Sequence, residues 1–82
     1  MVIAMNNNEF DLYEAIAANI KKYRKEANIT QAELSERVGV SHEFIRRIES
    51  KKCKKTFSIQ TIYNLSLTLN VNITKLFEDD NI

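Results

Sequence analysis

The chain has 82 residues, 44% of them hydrophobic and 28% charged, and 12 Lys+Arg against 11 Asp+Glu leave a formal net charge of +1. That mix describes a single small globular domain, near the lower size limit for a core that folds without staples. One Cys excludes an intrachain disulfide or a multi-Cys zinc site, one His excludes a His-pair metal site, and no Pro with one Gly argues against an all-β fold.

Residues 1–9 show no helical period, contain Asn6-Asn7-Asn8 and read as a flexible tail ahead of a domain spanning residues 10–79. Their apolar start, residues 1–5, is the longest wholly apolar run. It is far too short to cross a bilayer and lacks the basic flank of a secretory signal, so a cytoplasmic protein without a membrane partner is expected. Asp11 with Glu14 has the spacing of a capping box. After it, Leu12, Ile16, Ile20, Tyr23 and Ala27 recur at helical spacing and predict one apolar stripe, on a helix ending near Asn28. Thr30 with Glu33 is a second capping box, opening a helix from Gln31 to about Val38 with Leu34 and Val38 inward. Gly39, the one glycine, follows that helix where a left-handed residue is cheap only for Gly. Ser41 can cap a third helix, His42 to about Ser50, with Ile45 and Ile48 inward. Residues 51–57 form a loop with four lysines. Ser58 caps a fourth helix whose expected inward stripe is Ile59, Ile62, Leu65, Ser66 and Leu69. After a turn at residues 70–72, Ile73, Leu76 and Phe77 are the apolar positions of a short fifth helix, and residues 80–82 read as a frayed acidic end.

Charge is unevenly spread along the chain. Residues 1–20 carry three acids and no base, residues 21–55 carry eleven bases against five acids, and residues 56–82 carry one lysine against three acids. A basic centre between acidic ends is what an anionic partner would meet, although the same lysines and arginines could simply solvate helix faces.

The segment QAELSERVGVSHEFIRRIES, residues 31–50, carries the most information. A short helix, a tight turn at Gly39 and a second short helix are joined by apolar Leu34, Val38, Ile45 and Ile48. Ser35 is small where the two helices cross, and the outer face of the second helix is polar. With ANITQAELSERVGVS, IRRIES and SIQTIYNLSLTLNVNITKLF, the chain from about Leu12 to Glu78 resembles the Cro/CI (XRE) phage-repressor helix-turn-helix family. Ser35 stands where Ala is usual. Ser50-Lys51 stands where Arg-Gly often ends the recognition helix, and the loop that follows is about two residues longer and lacks its usual Pro. The resemblance implies an all-α, compact five-helix lambda-repressor-like domain, with the helix-turn-helix formed by the second and third helices. Double-stranded DNA is the implied ligand, and the third helix enters the major groove.

By the same resemblance, Ser41, His42, Glu43 and Arg47 match the base-contacting positions. Arg47 could give a bidentate contact to guanine or meet a phosphate instead. His42 could donate to a base or phosphate or have no role. Glu43 could accept from cytosine N4, or serve the helix dipole and repel the wrong DNA. Arg46, Lys51, Lys52, Lys54 and Lys55 are expected at the backbone phosphates, with Thr30 and Gln31 at the start of the second helix. The resemblance also pairs Arg24 with Glu49 as a structural ion pair. Phe44 is expected to pack, or else to touch a thymine methyl. Cys53 reads as an incidental loop thiol or a redox switch. Tyr63, Leu67, Val71 and Ile73 are expected to form an apolar dimer interface, since one short helix reads only a few base pairs and two-fold dimers read half-sites about 34 Å apart; the alternative is that some of them pack under the N-terminal tail.

The expected function is therefore a sequence-specific transcriptional regulator, a homodimer on a palindromic operator, with no cofactor, no catalytic set, no metal and no evident small-molecule effector. The alternative is a protein-interaction module on the same scaffold, such as an antitoxin-like partner binder.

Overall fold

The computed structural model describes residues 12–50 and 57–78, and their regular structure is helical throughout. Five helices follow in order: α1 (Leu12–Glu26), α2 (Gln31–Val38), α3 (His42–Glu49), α4 (Ile59–Leu69) and α5 (Ile73–Leu76). The boundaries follow local chemistry. α1 has Glu14 in its first turn and Arg24 and Lys25 in its last, complementing its dipole. It stops because Asn28 turns left-handed, with φ 66°. The capping box of α2 is complete: the Thr30 hydroxyl accepts from the Glu33 amide at 3.0 Å, and the Glu33 carboxylate accepts from the Thr30 amide at 2.8 Å. Ser41, Ser58 and Asn72 each cap the following helix with a side-chain oxygen. Gly39 has φ 88° and donates its amide to the Ser35 carbonyl at 2.8 Å. A Cβ there would meet nothing within 4 Å, so the backbone angle and not crowding requires glycine.

The core gathers at least one residue from every helix: Ile16 and Ile20 from α1, Leu34 from α2, Ile45 and Ile48 from α3, Ile62, Leu65 and Leu69 from α4, and Leu76 from α5. α2 packs on α3 and α4, while α1 packs behind α3, α4 and α5. The helix-turn-helix is thus a two-helix unit mounted on α1 and α4. Ser35 is buried where α2 meets its neighbours and satisfies its hydroxyl on the Ala32 carbonyl at 2.7 Å, so serine serves at this small-residue position.

Three apolar expectations fail. Leu12 is 43% exposed, since the buried stretch of α1 begins only at Ile16. Ala27 lies beyond the helix and is exposed, because the left-handed turn at Asn28 breaks the four-residue step and buries Ile29 in its place. Ile59 is 76% exposed. Seven residues before the buried Ser66 it has the angle of the inner stripe, but it stands in the first turn of α4, where the described residues leave it uncovered, and it begins the i, i+4, i+8 row with Tyr63 and Leu67. In α5, Leu76 is fully buried, while Ile73 is half-buried and Phe77 turns outward.

A polar tie completes the fold. Asn19 is buried on α1 and donates from Nδ2 to the carbonyls of Leu76, at 2.9 Å, and Glu78, at 2.8 Å. Its amide satisfies carbonyls left open where α5 ends and locks that end to α1. Among the described residues, every buried side-chain nitrogen or oxygen has a partner. Tyr13 meets Phe57 edge-on with ring centroids 5.4 Å apart, joining the start of α1 to the segment before α4.

Candidate nucleic-acid interface

α3 buries Ile45, Ile48 and Glu49 and leaves Ser41, His42, Glu43, Arg46 and Arg47 exposed on the opposite side. Among the described helices this segregation is the strongest: one side of two turns is Ile45, Ile48 and the paired Glu49, and the other is wholly polar. Phe44 is half-buried and packs against the core, which is the packing alternative. The Ser41 hydroxyl accepts from the Phe44 amide at 3.0 Å, so its remaining capacity toward a ligand is chiefly as a donor. Glu43 and Arg46, three residues apart, form an exposed ion pair. The Arg46 hydrogen bond lowers the Glu43 pKa, with desolvation opposing it and the charges of Arg46, Arg47 and His42 adding to the lowering. The Arg47 carbonyl accepts from the Ser50 amide at 3.2 Å, while its exposed guanidinium makes no hydrogen bond or ion pair among the described residues.

The expected pair of Arg24 and Glu49 is present and buried. Nε of Arg24 donates to Oε2 of Glu49 at 2.7 Å and Nη2 donates to Oε1 at 3.0 Å, a bidentate contact between α1 and the end of α3. Nη1 of Arg24 also donates to the Ile29 carbonyl at 2.9 Å. Gln31 extends the network, with Nε2 donating to the same Glu49 oxygen at 3.0 Å. Three segments therefore meet at the Glu49 carboxylate, α1, the start of α2 and the end of α3, and Arg24 ties the turn after α1 to them. Sequence reasoning assigned Gln31 to the DNA backbone but did not foresee this bond. One amide hydrogen is committed to Glu49, and the other hydrogen and the carbonyl oxygen remain for a ligand.

The start of α2 is also narrower as an anion site than its dipole suggests. The capping box occupies the amides of Thr30 and Glu33, leaving those of Gln31 and Ala32 as outward donors, and it places the Glu33 carboxylate at the positive end. Beside it runs an open groove of about 630 Å³ lined by Arg24, Lys25, Asn28, Gln31 and His42 among others. It brings the first residue of α3 next to the first residue of α2.

Lys51, Lys52, Lys54, Lys55 and Cys53 lie outside the described residues, as does Asp11. Of the four residues expected at a dimer interface, Tyr63 is 47% and Leu67 59% exposed, whereas Val71 and Ile73 are half-buried and pack against the core. Ile59 joins the first two in a single stripe along α4, a position that sequence reasoning had placed inside. Among the described residues, no helix is long and apolar enough to cross a membrane, and no three His, Cys, Asp or Glu gather as metal ligands.

A short helix, a left-handed glycine turn and a polar-faced second helix clamped by a buried ion pair define a helix-turn-helix protein. The family model described as helix-turn-helix matches residues 20–76, and the chain belongs to that family, of the Cro/CI (XRE) type, whose members are DNA-binding transcription regulators. It is 33% identical over 66 residues to the control protein C.SmaI of Serratia marcescens, covering 80% of this chain and 76% of that one. It is 33% identical over 64 residues to the transcriptional regulator SinR of Bacillus subtilis, covering 78% of this chain but only 57% of SinR. The crystal structure of SinR in complex with DNA superposes with a TM-score of 0.70 at 33% identity, over 77% of this chain and 98% of that one. A hypothetical transcription factor from Neisseria shares the fold at a TM-score of 0.81 and 21% identity, over 99% of this chain and 91% of that one.

Proposed function

We propose that the protein is a sequence-specific regulator of transcription that binds double-stranded DNA as a homodimer, with α3 in the major groove of each half-site. The observation that carries this reading is the rigidly backed polar face of α3. Ser41, His42, Glu43 and Arg47 point away from a core to which Ile45 and Ile48 hold the helix, and Glu49 ties its end to α1. In this reading Arg47 reads guanine with its fork. Thr30, Gln31 and Arg46 meet phosphates, with the outward amides of Gln31 and Ala32 and with Lys51, Lys52, Lys54 and Lys55. These contacts bring affinity and salt dependence and no base preference. The dimer forms through α4, where Ile59, Tyr63 and Leu67 supply the apolar stripe and Val71 and Ile73 border it.

Selection of the purified full chain on random double-stranded DNA, at two salt concentrations, tests the proposal. A palindromic motif with half-sites about one helical turn apart is the expected result. Binding at low salt without a motif would refute sequence-specific regulation. No binding at either salt would transfer the function to partner recognition, for which the exposed α4 stripe is the available surface.

A further inference from the structure

Within the recognition face just proposed, Glu43 is the one acid. It lies at the centre of the face offered to a polyanion. With about 100° per residue, it stands opposite the buried Ile45 and Ile48, flanked by Arg46 on one side and Arg47 on the other. The helix dipole favours an acid in the first turn of α3, but any first-turn position would serve it, and it does not by itself call for an acid at the centre of the outward face. In α2 the first-turn acid is Glu33 at the third helical residue, where it closes a capping box. In α3 that third position is Phe44, turned into the core, and the acid stands one residue earlier, facing outward, where it caps nothing. Arg46 donates to one of its oxygens, Oε1, in an exposed pair with side chains 61% and 54% accessible. The pair offsets the carboxylate's repulsion from phosphates and fixes its rotamer across one turn. A carboxylate carries no proton to donate, so Oε2 can only accept. In the major groove cytosine N4 and adenine N6 are donors, but adenine sets its N7 acceptor beside N6, so cytosine is the base that a carboxylate matches best, whereas guanine O6 and N7 and thymine O4 are acceptors that it repels.

We propose that Glu43 is a specificity-determining residue that selects cytosine at one position of each half-site, with Arg46 holding its carboxylate in place while keeping its other donors for the backbone. This inference rests on DNA being the ligand, and its test separates the two. Random double-stranded DNA is selected with the wild type and with Glu43→Gln and Glu43→Ala, whose exposed position leaves the fold intact, as far-UV circular dichroism would verify. The wild type is expected to fix cytosine at one position per half-site. Glu43→Gln is expected to move that position toward adenine, whose N6 and N7 suit an amide. Glu43→Ala is expected to lose about tenfold or more discrimination there while leaving the other positions alone. If both variants select the wild-type motif and bind all sequences more tightly, Glu43 is only a repulsive charge and the inference falls while DNA recognition stands. If the wild type selects no motif, both fall together.

Discussion

The buried pair of Arg24 and Glu49 offers the most quantitative check on how the recognition helix is held. Its side chains are 10% and 3% exposed and share two hydrogen bonds of 2.7 and 3.0 Å. Arg24→Met leaves Glu49 charged and buried, and Glu49→Leu does the same to Arg24. Each should cost about 3–5 kcal/mol, the usual consequence of stranding one member of a buried pair. A domain of this size has a total stability of roughly 4–12 kcal/mol, so either variant should be near the edge of folding. The double variant strands no charge. What it loses is the Arg24 donor to the Ile29 carbonyl and the Glu49 acceptor for Gln31, about 1 kcal/mol each. Its cost should therefore be about 2 kcal/mol, several kcal/mol less than the sum of the single changes. Urea unfolding of the full chain followed by circular dichroism measures all four corners of the cycle. Repeating it in 1 M salt adds a control, because screening acts weakly on buried charge and the coupling should persist. Single variants that each cost under about 1 kcal/mol, or a double variant equal to their sum, would refute the claim that this pair clamps α3.

Four further outcomes are expected. Asn19→Ala removes the donor shared by the Leu76 and Glu78 carbonyls and should cost about 1–3 kcal/mol, with amide exchange accelerating first in α5; unchanged protection there would deny that Asn19 pins that helix. Gly39→Ala should destabilise by about 1–2 kcal/mol through its φ of 88° alone, and Gly39→Asn by less, as Asn28 and Asn70 already hold left-handed angles; equal losses for both would point to crowding instead. Leu67→Glu should turn a dimer into a monomer in analytical ultracentrifugation and remove the concentration dependence of the melting temperature while the helical circular dichroism is kept, because Leu67 is exposed within the protomer; a dimer that survives places the interface elsewhere. Arg47→Ala should cost about 1–3 kcal/mol on the selected site and relax one base pair, and an unaltered motif would remove Arg47 from base reading.

The five helices, the caps of α2, α3 and α4 and the helix-turn-helix were legible in the sequence because each rests on local rules, whereas Asn72 read as a turn residue and not as the cap of α5. Thr30 with Glu33, Ser41, Ser58 and Gly39 act within four residues of themselves, and apolar spacing along two or three turns identifies the inner faces of α2 and α3. The outward set on α3 follows from that same spacing. The bidentate geometry of Arg24 and Glu49 could be anticipated only through family resemblance, since 25 residues separate them.

What only the tertiary structure decided lies where two elements compete for one place. Ile59 and Ile62 are equally apolar, but only the position of α4 on its neighbours determines that Ile62 is buried and Ile59 joins Tyr63 and Leu67 outside. Ala27 continues a helical period that the Asn28 turn ends, so Ile29 enters the core. Asn19 carries no local signal of burial, and its place is explained only by two carbonyls 57 and 59 residues away. Gln31 likewise reads as a helix-start residue until the end of α3 brings Glu49 within 3.0 Å. Sequence alone determined the helices and the face that α3 exposes, because periodicity and capping are short-range. The long-range polar ties and the outward turn of Ile59 required the packed fold, because a buried amide or an unpaired apolar face has meaning only against its neighbours.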